Sequence, residues 1–137
     1  MAETVRLVDY FYTEVPDKPG EAARMLSLLR EAGVYLLVFS GFPKGRRAQL
    51  DFVAPDTPAF KAVARKARWK LTGPKKAFLI YGDDRIGVGA ELLGKLAEAN
   101  INATATQAIF AGADRFGMIL WVKPRDVKKA AKTLGAA

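Results

Sequence analysis

The sequence predicts an α+β fold made of two copies of one small unit, each an antiparallel sheet with its helices on one face. Three observations lead to it. Four stretches place apolar residues at helical spacing, and runs rich in valine, isoleucine, tyrosine and phenylalanine separate them. The first strand-to-helix junction is written a second time farther along the chain. The composition, 50% apolar and 26% charged over 137 residues, is that of a packed globular chain rather than a disordered one.

The repeat is read by placing DKPGEAARMLSLLREAGV, from Asp17, over DRIGVGAELLGKLAEANI, from Asp84, an offset of 84 − 17 = 67 without a gap. Gly20 then meets Gly87, Leu26 meets Leu93, Leu29 meets Leu96, and Val34 meets Ile101. Phe60, Val63, Ala64 and Ala67 meet Val127, Ala130, Ala131 and Leu134 at the same offset. Two separate segments obeying one shift indicate an internal duplication. The hairpin region between them aligns poorly. The boundary is expected at the turn-forming cluster Thr72-Gly73-Pro74, giving units over residues 1–72 and 76–137.

In the first unit, Val5 to Val15 reads as a strand that Pro19-Gly20 ends. Ala22, Met25, Leu26 and Leu29 line one face of the helix that follows, and Gly33 stops it. Tyr35 to Phe42 and Ala48 to Ala54 form a hairpin around Pro43-Lys44-Gly45. Thr57 is expected to cap a second helix with Pro58 in its first turn, burying Phe60, Val63, Ala64 and Ala67. The second unit repeats this order: strand Lys76 to Tyr81, helix Gly87 to Ala99, strands Ile101 to Phe110 and Phe116 to Val122, helix Arg125 to Leu134. A short closing strand around Trp69 to Thr72 is available to the first unit only. Each unit is therefore βαββα(β), the split βαβ or ferredoxin-like order. YLLVFSGF and FGMILWV are apolar at consecutive rather than alternate positions, which predicts cover on both sheet faces. A unit of this size buries little alone. The two units are expected to form one body whose remaining sheet surface meets a second chain, making a homodimer.

Composition also excludes. With no cysteine there is neither a disulfide nor a thiolate metal site, and with no histidine there is no serine–histidine or cysteine–histidine catalysis. Zinc loses its usual ligands for the same reason. No catalytic residue, metal or cofactor is expected. No run approaches the roughly 20 apolar residues of a membrane span, and MAETVRLVDY lacks the basic head and apolar stretch of a secretory signal. A cytoplasmic location is expected. The net charge of +8 either solvates the surface or faces an anionic partner.

The chemistry concentrates at the repeated corner. Gly87 and Gly89 suggest a dinucleotide loop, but Leu92 holds the third glycine position and Gln107 stands where the ribose-binding carboxylate is needed. No glycine-lysine-serine/threonine follows, so a P-loop fails as well. Both copies keep aspartate, two residues, then glycine, where a strand turns into a helix. The glycine permits positive φ, and the first helical turn offers unpaired amides to a small anion. The aspartate can cap that turn or receive an ammonium group. One such corner suits both charged ends of a free amino acid.

The residues D-K-P-G-E-A with Gly33-Val34, and D-R-I-G-V-G-A-E-L-L running into Ala99-Asn100-Ile101-Asn102, resemble the ACT domain, a small regulatory module that binds amino acids. The resemblance covers nearly the whole chain as two tandem copies. It implies a ligand site between two units, built from the loop after the first strand of one and the start of the second strand of its neighbour. By position that is Asp84, Arg85, Ile86 and Gly87 with Asn100 and Asn102, and by symmetry Asp17 to Gly20. A regulated enzyme is the partner such modules imply. The first copy has Gly33 and Tyr35 where the second has Asn100 and Asn102, so the second site is expected to bind and the first to be largely structural. Asparagine can accept from an ammonium and donate to a carboxylate, while Asn100 also suits a helix end.

Two rivals stand beside this reading. RFGMILWV loosely matches the central strand of RNA-recognition domains, with Phe116, Gly117 and Trp121 in place, but Met118 replaces a stacking aromatic. Nucleic acid is therefore the second reading, and the basic residues of the two later helices are a solvated face by default. The other rival is an interaction module that regulates a protein without a ligand.

Overall fold

The computed structural model describes residues 3–137. It is α+β, with six strands and four helices: β1 (Thr4–Pro16), α1 (Glu21–Glu31), β2 (Val38–Lys44), β3 (Arg47–Val53), α2 (Thr57–Ala67), β4 (Thr72–Asp83), α3 (Val88–Glu98), β5 (Ala103–Gly112), β6 (Arg115–Val122) and α4 (Val127–Leu134). A single 3-10 turn, Pro124–Asp126, leads into α4. The strands hydrogen bond in the order β2-β3-β1-β4-β6-β5, and β1–β3, β2–β3, β4–β6 and β5–β6 are antiparallel. The chain divides into two compact units. The first is Asp9–Lys75; the second is Lys76–Ala137 together with the start of the chain as far as Val8.

In the first unit the core lies where alternate strand residues meet the apolar stripes of α1 and α2. Phe11 on β1 stands opposite Phe52 on β3, and Met25, Leu29, Leu50 and Phe60 complete the buried cluster. The Phe60 ring centroid is 5.6 Å from that of Phe11 and 5.3 Å from that of Phe52, distances at which aromatic pairs add to simple area burial. The cap of α2 differs from the expectation. Asp56 rather than Thr57 is the N-cap, its carboxylate accepting from the Ala59 amide at 3.0 Å, and Thr57 is already helical. Asp56 and Thr57 are both suited to capping, and local sequence does not choose between them.

The Thr72-Gly73-Pro74 cluster does not bend the chain away; it opens β4. Gly73 has φ +133°, and a Cβ there would lie 2.8 Å from the Tyr10 carbonyl oxygen and 2.9 Å from Phe11 Cδ2. The glycine serves close backbone approach to β1, not a turn.

The second unit repeats the plan. Phe78 and Ile80 on β4 face Leu120 and Met118 on β6, and Leu92, Leu96, Ala130 and Leu134 bring α3 and α4 onto them. Its sheet also has a fourth strand, contrary to the expectation that only the first unit could close. Val5 belongs to its core, the Leu7 amide donates to the Ala137 carbonyl at 3.3 Å, and the Ala137 amide donates to the Val5 carbonyl at 3.1 Å. The strand comes from the start of the chain, 67 or more residues from the unit it completes, so no local pattern announces it.

Candidate ligand-binding corners

The two Asp-x-x-Gly stretches adopt matching backbones. Gly20 is the N-cap of α1 with φ +91°, and Gly87 is the N-cap of α3 with φ +86°. Neither helix receives a side-chain cap, so Asp17 and Asp84 are not capping residues. The first helical hydrogen bonds run from the Arg24 amide to Gly20 and from the Glu91 amide to Gly87, each 3.0 Å. Amides ahead of them therefore lie outside the regular helical ladder, although that of Val88 reaches the Arg85 carbonyl at 3.4 Å. Asp17, Gly20, Asp84, Arg85, Ile86 and Gly87 are all exposed, and the Ile86 side chain stands wholly in solvent.

Charge is organised differently at the two corners. In the second unit the Arg85 guanidinium donates to Glu91 at 2.9 Å and to Glu3 at 3.3 Å. The hydrogen bond to Glu91 is the main reason its pKa is raised. Arg85 thus lies beside the first turn of α3 with its charge already answered. Asp84 donates its backbone amide to the Asp114 carbonyl at 2.7 Å, which ties the corner to the β5–β6 turn, and Arg115 pairs with Asp83 at 2.8 Å. In the first unit Glu21 accepts from Arg24 at 2.6 Å and lies 3.9 Å from Lys18. The tie from Asp84 to the hairpin was not legible in the sequence. Ala113 and Asp114 have φ +50° and +56°, and the one available signal was the turn-forming Gly112-Ala113-Asp114.

Asn100 and Asn102 sit elsewhere in the unit. Asn100 follows α3 with φ +59°, matching Gly33 with φ +71° after α1, so it fills the left-handed position past a helix end. Asn102 is exposed just ahead of β5. Gly87 begins α3 and Asn100 ends it, and its 11 residues span about 16 Å. Within one unit, therefore, the two halves of the predicted site stand at opposite ends of a helix. Tyr35, the counterpart of Asn102, is 70% exposed and fills no space within its own unit.

The strand proposed for base stacking turns one of its two aromatics, Phe116, inward and leaves Trp121 half-buried. Phe116, Met118 and Leu120 are buried in the core of the second unit, so Phe116 cannot stack on a base. Among the described residues no group of three aspartates or glutamates comes together as a metal site, and no helix is long and apolar enough to cross a membrane.

No protein-family profile matches the chain, and neither does any curated protein. Solved structures do. Protein BT0572 from Bacteroides thetaiotaomicron superposes with a TM-score of 0.82 at 12% identity, over 96% of this chain and 88% of that one. The aspartokinase alpha and beta subunits match at TM-score 0.67 and 16% identity, over 98% and 95%. The ligand-free regulatory subunit of aspartate kinase from Thermus thermophilus matches at 0.62 and 20%, over 96% and 94%. At these identities the likeness is one of fold.

Proposed function

We propose that this chain, which shares the fold of the regulatory subunit of aspartate kinase, is an ACT-domain protein, a non-catalytic regulator that binds a free amino acid as a homodimer. Each unit is taken as one ferredoxin-like module: β2-β3-β1-β4 in the first and β1-β4-β6-β5 in the second follow the split βαβ order. The observation that carries the reading is the twice-built left-handed glycine corner, which leaves helix amides uncapped by any side chain at both α1 and α3. Such amides, at the positive end of a helix dipole, favour a carboxylate.

The ligand's carboxylate is assigned to the amides after Gly87 and its ammonium to Asp84, with Arg85 and Ile86 beside them. Asn100 and Asn102 come from a second copy, because in one copy they lie at the far end of α3. A site completed only by its partner couples binding to association, and a differential affinity of that kind is what lets a ligand bias a regulated enzyme. Asp17 and Gly20 form the weaker counterpart, since Tyr35 replaces the asparagine amide there. Recognition at about 1 mM to 1 μM needs roughly 4–8 kcal/mol. A few charge-assisted hydrogen bonds of about 1.5–3 kcal/mol each supply it.

The experiment is a thermal-shift screen over the common amino acids, repeated on Asp84→Ala and Asn102→Ala. A ligand at 100 times its Kd stabilises by about 2.7 kcal/mol. A stabilising amino acid whose effect both substitutions abolish supports the reading; a flat screen rejects it.

A further inference from the structure

The chain's positive charge is gathered in two stretches, each of which contains the second helix of a unit. From Thr57 to Gly82 there are seven lysines and arginines and no acid; from Arg115 to Ala137 there are six against Asp126 alone. These stretches carry a net +12 in a chain of net +8, so the remainder is −4. The charge repeats as the core does: Lys61 and Arg65 on α2 meet Lys128 and Lys132 on α4 at the offset of the duplication. In each helix the two are four residues apart, hence on one face, and all four are exposed. Among the described residues, Lys61, Arg65, Lys66, Lys128, Lys129 and Lys132 join no ion pair, as Arg30, Arg46 and Lys95 also do not.

Ordinary surfaces intersperse both signs of charge. Here two corresponding faces have shed their acids and kept their cations. A protein partner would find no apolar centre to bury on either helix, because the exposed large hydrophobics are Tyr35, Phe39, Phe42, Ile86, Ile109 and Phe110. Nucleic-acid interfaces are polar and strongly positive, and most of their hydrogen bonds go to phosphate and sugar. No exposed aromatic residue lies on α2 or α4 to stack a base. We propose that the outer faces of α2 and α4 bind the phosphate backbone of nucleic acid without reading its sequence. This uses the helices, not the sheet, and is independent of the amino-acid site.

The test is fluorescence anisotropy of the full chain with a labelled DNA duplex, a scrambled duplex and a single-stranded RNA, between 50 and 200 mM salt. Four phosphate contacts predict a slope of log K against log salt of about −3.6 on duplex, the same for both sequences. K61Q/R65Q and K128Q/K132Q should each make that slope shallower by about 1.8 and weaken binding at 50 mM salt. R24Q, which removes a cation already paired to Glu21, should change neither. The substituted positions are exposed, and unchanged circular dichroism would show an intact fold. No binding at 50 mM salt, equal binding by the double variants, or preference for a glutamate-rich peptide over all three oligonucleotides would overturn the proposal.

Discussion

Gly20 and Gly87 hold the same left-handed conformation, φ +91° and +86°, at the amino ends of α1 and α3. A Cβ would meet nothing within 4 Å at either position, so the constraint is purely one of backbone conformation. Gly20→Ala and Gly87→Ala should each cost about 1–2 kcal/mol. Gly73→Ala adds a collision with the Tyr10 carbonyl to an unfavourable φ and should cost more than about 3 kcal/mol. Urea denaturation of the three variants gives the ranking, and a mild Gly73→Ala would refute the close approach of β4 to β1.

Asn100 and Asn102 separate backbone from ligand roles. Asn100→Gly keeps the left-handed residue that α3 needs at its end, so stability should change by less than about 1 kcal/mol. Asn102→Ala removes an exposed amide ahead of β5 and should leave the melting temperature of the ligand-free protein unchanged while abolishing the ligand-induced shift. A large loss of intrinsic stability in Asn102→Ala would mark it as structural instead.

Asp51 makes stability depend on pH. Its side chain belongs to a residue only 3% exposed on β3, cross-strand from Tyr12 and Ser40, with Gln49 donating to it at 2.9 Å and Lys44 and Tyr10 near enough to act on its charge. Burial raises its pKa above the ordinary aspartate value, outweighing Gln49 and Lys44, which lower it. The folded state therefore holds this proton more tightly than the unfolded one. Its contribution is fully present below the unfolded pKa and is lost as pH rises through the folded value. Asp51→Asn, which can still accept from Gln49, should flatten the stability profile upward from about pH 4 and stabilise the protein at neutral pH. Thermal denaturation of both proteins across pH checks this; parallel profiles would exclude Asp51 as the cause.

Phe116 and Phe110 lie close in sequence and differ in fate, at 4% and 59% exposure. Phe116→Ala should cost about 3–5 kcal/mol and Phe110→Ala less than about 1. If Phe116→Ala proved neutral in chemical denaturation, the inward orientation of β6 would be wrong.

Much of the fold was legible because short-range physics dictates it. Ala22, Met25, Leu26 and Leu29 recur three and four apart and pack into one cluster, whereas a strand would turn Ala22 and Met25, three apart, to opposite faces. The offset relating Asp17 to Asp84 exposed the duplication, and positive φ at Gly20, Gly87 and Asn100 follows from residue type. What stayed hidden is long-range. The fourth strand of the second unit comes from the start of the chain, and the meeting of Asp84 with Asp114 depends on how a hairpin packs. Arg85 could be read as a ligand contact, but its pairing with Glu3 and Glu91 needed the fold. The opposite placement of Gly87 and Asn100 on α3 was in principle countable at 1.5 Å per residue. Only the structure showed that one copy cannot combine them.

The most direct test is calorimetric titration of the full chain with each common amino acid, alongside sedimentation of the same samples. At least one amino acid should bind with a Kd between about 1 μM and 1 mM and favour the dimer, and Asp84→Ala should bind none. Heat-free titrations for every amino acid, or binding that survives Asp84→Ala with no change in association, would contradict the account.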